Sequence, residues 1–377
     1  MILLEGNRRT GKTSILRQLQ RPEYDLLQRW VAVECSFQGT IGDQAKDGIP
    51  TRELFRLIVR DIGLACSRAG CPVPLPGMEP ASAPTLYKFQ FVRALNGFFE
   101  DLDPYEALQV YVDLVLESIA PRRLLLMLDE FDKLQVGIDN QVTSPQVPEN
   151  IRNLLQMRTG LAAIITGSRR LKRLREEYWS ALFGFGHRIG VDPLEADEAR
   201  ELIMKPVEGR LSFEKAAVES IIDLTACQPF LVQSLCARVF ELAKRHGHHR
   251  ITAAGVEEAA QKMVRDNEHF MALWSYAVTE RRRFLLCLCR ELAGGPLRVS
   301  ADLLAQRMDT AGVHVLVDAI DDDLRFLLEL ELVALANSDV GPDYRLAVPL
   351  MGMWMKEAVD AEAQRRRAVH EAGGVRT

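Results

Sequence analysis

The residues whose types and spacing point most directly to chemistry lie at the start of the chain. Residues 6–13 fit the pattern Gly-x4-Gly-Lys-[Ser/Thr] without a mismatch. Glycines let backbone N–H groups turn toward a phosphate chain at a helix N-terminus, lysine adds a positive charge for the β and γ phosphates, and the hydroxyl can bind Mg²⁺. The segment therefore predicts a phosphate loop; a glycine turn with a chance lysine is the alternative. The predicted nucleotide contacts are Gly6, Asn7, Arg8, Arg9, Thr10, Gly11, Lys12, Thr13 and Ser14.

A phosphate loop needs a second anchor for magnesium, and residues 124–130 offer one. The apolar run Leu124–Leu128 is followed by Asp129 and Glu130, which is a Walker B pattern. Ligands of parallel sheets bind at the carboxyl ends of the strands. We expect Asp129 to hold Mg²⁺ together with Thr13, and Glu130 to orient or deprotonate the attacking water.

A third apolar run ends in residues that could sense the terminal phosphate. Leu161–Ile165 is followed by Thr166, Gly167 and Ser168. We expect the Walker B strand to lie beside the phosphate loop, so that Thr166 or Ser168 faces the γ-phosphate; capping of the next helix is the alternative. Arg169 begins the densest basic cluster of the chain. It is predicted to stabilise transition-state charge, with a partner-binding or merely solvated helix face as alternatives.

Positioning these residues requires alternating strands and helices. Strands are predicted at 2–5, 30–37, 124–128, 161–165 and, more weakly, 187–191, with helices at 13–19, 51–68, 86–100 and 104–119. The runs at 124–128 and 161–165 are typical of strands buried on both faces of a parallel sheet. Between Glu195 and Val264 every periodic segment is helical. Three further helices and a strand pair at 332–336 and 344–348 give the layout of a winged helix.

Four segments together resemble a known group of proteins. They are Gly-Asn-Arg-Arg-Thr-Gly-Lys-Thr-Ser, Leu-Asp-Glu-Phe-Asp, Ile-Thr-Gly-Ser and the stretch Thr225–Gln233. They are similar to the AAA-related ATPases of the STAND and archaeal-type ATPase group. This resemblance implies an α/β P-loop core at 1–193, a helical lid at 194–266 and a winged helix at 267–360. It also implies ATP and Mg²⁺ as cofactors, with Pro229 approaching the base from the lid. The polar composition of residues 361–377 predicts a frayed tail.

Composition limits the remaining function classes. The 377 residues are 47% hydrophobic and 26% charged, which excludes broad disorder, and the formal net charge of −5 lacks the basic excess of backbone-driven DNA binders. No apolar run reaches the ~18 residues that cross a bilayer. We therefore expect a cytoplasmic protein without membrane contact. The seven cysteines are scattered, which predicts reduced core thiols rather than disulfides or metal ligands.

Three functional hypotheses remain open at this stage. The first is an ATPase acting as a nucleotide-controlled switch in signalling or defence, with a protein partner or self-association. The second is a DNA-handling ATPase of the initiator or transposition-helper kind, and the third is a nucleotide-binding scaffold with little turnover. Residues 270–360 hold 9 basic against 14 acidic residues, and such a surface repels phosphates. DNA is therefore the less favoured partner from the sequence alone.

Overall fold

The computed structural model describes residues 1–7, 9–21, 23–37, 48–78, 84–167, 184, 186–265, 268–294, 298–336 and 341–374. The chain divides into two compact units, Met1–Val191 and Asp192–Thr377.

The first unit is built on a five-stranded parallel sheet. Its strand order is β2-β3-β4-β1-β5. The strands are β1 (Ile2–Glu5), β2 (Trp30–Ser36), β3 (Arg123–Asp129), β4 (Leu161–Gly167) and β5 (His187–Gly190). The sequence therefore predicted all five, including the weak last one. Its assumption that the Walker B strand lies beside the phosphate-loop strand is wrong, because β4 pairs with both β1 and β3.

Helices cover the sheet and explain the continuous apolar runs. Every residue of β3 from Leu124 to Asp129 is buried. A large core of strand and helix side chains lies on one side of the sheet, and a smaller core around Leu16 and Met127 lies on the other. Within the described residues, the α-helices of this unit are α1 (Lys12–Leu19), α2 (Leu26–Arg29), α3 (Thr51–Arg68), α4 (Pro84–Asp101), α5 (Pro104–Ile119), α6 (Leu134–Asp139) and α7 (Val147–Met157).

The second unit is mainly helical and shares one continuous apolar core. Its first helices are α8 (Ala196–Met204), α9 (Lys215–Thr225), α10 (Pro229–His246) and α11 (Ala253–Arg265). The periodic segments of this stretch are helical, as the sequence predicts, and two short strands lie between the helices. The two-residue strands β6 (Ser212–Phe213) and β7 (Arg250–Ile251) pair in parallel, and they are too short to leave a periodic signal.

In the described residues of the later part of the second unit, four helices are followed by an antiparallel strand pair. Helix α12 (Glu268–Ser275) precedes α13 (Glu280–Leu292), α14 (Ala301–Thr310) and α15 (Val317–Glu329); strands β8 (Val333–Ala336) and β9 (Asp343–Leu346) follow. The first of the three predicted helices is divided into α12 and α13 by a break near Val278, which has φ 65°. Helix α16 (Pro349–Ala358) then completes this part.

The C-terminal segment differs from its prediction. The sequence predicts a frayed polar tail, whereas Ala361–Gly374 form helix α17. Ala368 is fully buried, and the Gln364 side chain donates to the backbone carbonyl of Glu280 at 3.0 Å. The Glu371 carboxylate accepts the N–H groups of Glu280 and Arg281 at the start of α13. The segment is therefore packed on α13, although its apolar stripe is too narrow to recognise in the sequence.

The next findings apply only to the part of the chain that the structure describes. Across that part of the chain, no helix is long and apolar enough to cross a membrane. All seven cysteines are free, and among the residues that the structure describes no group of His, Cys, Asp and Glu side chains could hold a metal ion by itself. Burial raises the pKa of the Cys287 and Cys289 thiols to about 12.

Candidate functional site

The phosphate loop joins β1 to α1 and is shaped by two glycines. Gly11 has φ 100°, a conformation that favours glycine, and it directly precedes the helix. A Cβ on Gly6 would lie 2.7 Å from the carbonyl oxygen of Val191 and 2.8 Å from Thr10 Oγ1, so only glycine fits there. The first turn of α1 has no side-chain cap. The loop thus presents the amino end of a helix, where an anion is stabilised.

Lys12 lies inside this loop rather than in solvent. It is only 9% exposed, and its Nζ donates to the carbonyl oxygens of Gly6 at 2.9 Å and Asn7 at 2.6 Å. The Thr10 hydroxyl also donates to the Asn7 carbonyl, at 3.0 Å. The ammonium group is therefore held at the centre of the loop, where a phosphate would bring oxygen acceptors to replace the carbonyls.

Thr13 and Asp129 meet although 116 positions separate them in the sequence. The Thr13 hydroxyl donates to Asp129 Oδ2 at 2.7 Å. Asp129 ends β3 and is 4% exposed. A hydroxyl and a carboxylate are hard oxygen ligands of the kind that Mg²⁺ prefers. The two side chains that the sequence predicts as the magnesium anchors therefore fit such an ion in chemistry and in position.

Thr166 connects the Walker B strand to the strand that lies beside it. Its hydroxyl donates to Asp129 Oδ1 and accepts the backbone N–H of Glu130 at 3.0 Å. Thr166 is fully buried. Because β4 lies between β1 and β3, its carboxyl end is the central position of this edge of the sheet. The strand order thus gives Thr166 a larger role than the sequence could indicate.

Glu130 follows Asp129 in an unusual backbone conformation. Its φ of 55° and ψ of 41° are left-handed, which an L-residue other than glycine adopts at a cost of about 1–2 kcal/mol. The hydrogen bond to Thr166 Oγ1 holds this turn, after which residues 131–133 form a short 3₁₀ helix. Such backbone strain is concentrated at functional sites. The predicted catalytic carboxylate is therefore placed by a strained turn that a buried hydroxyl supports.

Four further predicted site residues are Arg8, Ser168, Arg169 and Pro229. Arg8, Ser168 and Arg169 lie outside the described residues. Pro229 begins α10 in the second unit. Ala226 and Cys227, just before Gln228 and Pro229, both have positive φ, of 47° and 57°. The turn thus keeps a glycine-like backbone without glycine.

Sequence reasoning missed one ion pair next to the phosphate loop. Glu5, immediately before Gly6, is 6% exposed, and Arg188 of β5 contacts both of its carboxylate oxygens. The only signal in the sequence is a charged residue at the end of an otherwise apolar strand. The partner lies 183 positions away, and nothing in the sequence indicates it.

Comparisons with known proteins identify the fold. No protein-family model matches the chain, and no curated protein sequence is significantly similar to it. The structure of the Aeropyrum pernix ORC2 protein, in ADPNP–ADP complexes, is 16% identical with a TM-score of 0.60, covering 99% of this chain and 88% of that one.

Two further solved structures are similar at lower scores. Cdc6p of Pyrobaculum aerophilum is 16% identical with a TM-score of 0.44, covering 98% of this chain and 87% of its own. RuvB of Thermotoga maritima is 16% identical with a TM-score of 0.41, covering 91% and 83%. With its parallel P-loop sheet and helical second unit, this chain has the AAA+ fold found in the Orc/Cdc6 proteins.

Proposed function

We propose that this chain is a Mg²⁺-dependent P-loop ATPase. The observation that carries the proposal is the run of hydrogen bonds from Thr13 through Asp129 to Thr166 and the Glu130 amide. It joins the helix of the phosphate loop to the ends of two strands. A glycine turn with a chance lysine has no reason to be tied to a buried carboxylate in this way.

Each residue of the cluster has a role that its position supports. Lys12 and the amino end of α1 would bind the β and γ phosphates, and Thr13 and Asp129 would hold Mg²⁺. The bound ion neutralises charge that develops on the phosphate oxygens. Glu130, one residue beyond the magnesium anchor, would orient the attacking water and accept its proton. Hydrolysis would then yield ADP and inorganic phosphate.

Adenine is the base that the comparisons support. The ORC2 protein of similar fold is described in ADPNP–ADP complexes. The sequence resemblance gives Pro229, at the start of α10, the role of approaching the base. Membership of the STAND group, the winged-helix assignment of residues 267–360 and the lid assignment of residues 194–266 stay parts of this proposal.

The binding step is tested by calorimetry with ATP, in the presence of Mg²⁺ and again in EDTA. Lys12→Ala removes a charge-assisted contact of about 1.5–3 kcal/mol, which corresponds to a roughly 10- to 150-fold weaker Kd. Lys88→Ala, an exposed lysine of α4 in the same unit, is the matched control and should bind as the wild type does. Asp129→Asn should weaken binding only when Mg²⁺ is present. Unchanged affinity in Lys12→Ala would refute the phosphate-loop assignment.

For the biological role, we infer that DNA handling of the initiator kind ranks ahead of a signalling or defence switch. The support is the fold shared with an ORC2 protein over nearly the whole chain. This reverses the order that charge alone suggests. A protein partner or self-association remains part of the proposal for either role.

The carboxylates of helix α15 determine whether this helix could contact DNA. Asp318, Asp321 and Asp322 of α15 are exposed, whereas Asp323 is buried and contacts both Arg281 and Arg282. Three exposed carboxylates still oppose phosphate contact by this helix. Asp323, however, belongs to the interior and not to that surface.

The two roles are separated by titrating the full chain with labelled duplex DNA in ATP and in ADP, with fluorescence anisotropy as the readout. Salt-sensitive binding in either nucleotide state supports DNA handling. No binding in both states, combined with an ATP-dependent change of oligomeric state by light scattering, would favour the switch.

A further inference from the structure

Glu5 is a buried carboxylate at the end of β1, the strand that leads into the phosphate loop. Its side chain is 8% exposed, and the rest of β1 is apolar. Burying a carboxylate is costly unless it is paired and hydrogen-bonded. A buried ion pair is seldom more stabilising than apolar side chains of similar volume. Stability alone therefore does not account for a charge at this position.

Arg188 holds the Glu5 carboxylate through both oxygens. Its Nε donates to Oε1 at 2.8 Å, and its Nη2 contacts Oε2. In the parallel pairing, Arg188 lies opposite Leu3, and Glu5 lies opposite Gly190. The guanidinium group thus reaches roughly 6–7 Å along the sheet toward the phosphate loop. A planar two-point contact fixes orientation as well as distance.

The same edge of β5 also touches the first glycine of the loop. The Val191 N–H donates to the Glu5 carbonyl at 2.6 Å, and the Val191 carbonyl leaves no room for a Cβ on Gly6. On the other side, the Gly6 N–H reaches the Gly167 carbonyl at 3.4 Å, a long and therefore weak bond. The start of the loop is consequently held more tightly from β5 than from β4.

We propose that the Glu5–Arg188 pair positions the phosphate loop along the strand direction and so sets its distance from Asp129 and Glu130. This inference rests on the proposed function. Lys12 bonds to the carbonyls of Gly6 and Asn7, so it moves with the loop, whereas Asp129 belongs to β3. The pair thereby sets the distance between the phosphate-binding groups and the magnesium and water side of the site.

This arrangement predicts a separation of effects. The loop amides and Lys12, which contact the phosphates, move together when the loop shifts. Their contacts to ATP are therefore kept, and ATP affinity without Mg²⁺ should hardly change. The Thr13–Asp129 contact bridges loop and sheet at 2.7 Å, so Mg²⁺-dependent affinity should fall. Turnover should fall most, because a displacement of about 1 Å can reduce a rate ~10²-fold.

The test uses the full chain with two variants of the pair. Glu5→Gln keeps the shape and removes the charge, and the double variant Glu5→Gln/Arg188→Met also removes the guanidinium group, which would otherwise lose its carboxylate partner. The control is Asp113→Asn/Arg158→Met. That pair has the same two-point geometry, at 2.6 and 2.9 Å, and Arg158 lies just before β4, at the end of the sheet away from the loop. ATP binding is measured by calorimetry in Mg²⁺ and in EDTA, and hydrolysis is measured under single-turnover conditions.

We expect ATP affinity in EDTA within threefold of the wild type for both Glu5 variants, with the tightening by Mg²⁺ at least partly lost and turnover ~10- to 100-fold lower. The control pair should change none of the three. Wild-type turnover together with wild-type tightening by Mg²⁺ in the double variant overturns the inference and leaves the ATPase assignment intact. Equal losses of affinity in EDTA and in Mg²⁺ also overturn it, because they indicate general disruption. If the wild-type chain binds ATP but does not hydrolyse it, the tightening of ATP binding by Mg²⁺ in the two Glu5 variants decides whether the inference holds. If the wild-type chain does not bind ATP at all, both the inference and the ATPase assignment are overturned.

Discussion

Removing the Thr166 hydroxyl tests how the sheet supports the edge at which Asp129 and Glu130 lie. In Thr166→Val, a side chain of nearly the same shape loses one hydrogen bond to a carboxylate and one from the Glu130 amide. A bond to a charged group contributes about 1.5–3 kcal/mol, and leaving a buried N–H without an acceptor costs about 1–3 kcal/mol. With Thr166 fully buried, we expect the first unit to lose roughly 2.5–6 kcal/mol of unfolding free energy.

The assay is urea denaturation of the nucleotide-free chain, with Thr143→Val as the matched control. Thr143 is also buried in the first unit, at 2% exposure, but its hydroxyl donates only to the uncharged carbonyl of Ile49. Its substitution should cost about 1 kcal/mol. A Thr166→Val loss no greater than the Thr143→Val loss would refute the reasoning. In that case the Asp129 and Glu130 contacts would not be what stabilises this edge.

Two further predictions concern the second unit. Val278→Gly should raise the unfolding free energy of the second unit by about 1 kcal/mol, because a β-branched residue with φ 65° is strained. Val278 is 59% exposed, so little packing is lost with its side chain. Thermal unfolding measures the change, and a lower midpoint would contradict the prediction. Burial raises the pKa of the Cys287 and Cys289 thiols to about 12. Because only the thiolate attacks iodoacetamide, both cysteines should resist this reagent at pH 8 in the native chain and react once urea unfolds the chain. Mass spectrometry reads out both sites, and rapid native labelling would show that this part of the core opens.

The sequence predicted the elements of the core because buried parallel strands appear as continuous apolar runs. Thr51–Arg68 matches its predicted helix, and the strand ending at Asp129 matches closely. The phosphate loop and the Walker B acids were predicted for a related reason. Each motif is local, and its chemistry requires a fixed spacing.

What the sequence did not predict depends on pairings between distant residues. The position of β4 between β1 and β3 decides that Thr166 meets Asp129, and no local pattern encodes strand order. The Glu5–Arg188 pair likewise joins two strands that are neighbours only in the folded sheet. Helix α17 was missed because few of its side chains are buried; Gln364 and Ala368 are two that are.

Single-turnover hydrolysis of ATP by the wild-type chain and by Glu130→Gln tests the central claim most directly. Glutamine keeps the shape of the side chain at the left-handed turn after Asp129 but cannot accept a proton from water. We predict that the wild type releases phosphate in Mg²⁺ and that Glu130→Gln binds ATP with unchanged affinity and hydrolyses it ~10²- to 10⁴-fold more slowly. Equal rates in the two proteins, or no phosphate release by the wild type, would contradict the account of this edge as an ATPase site.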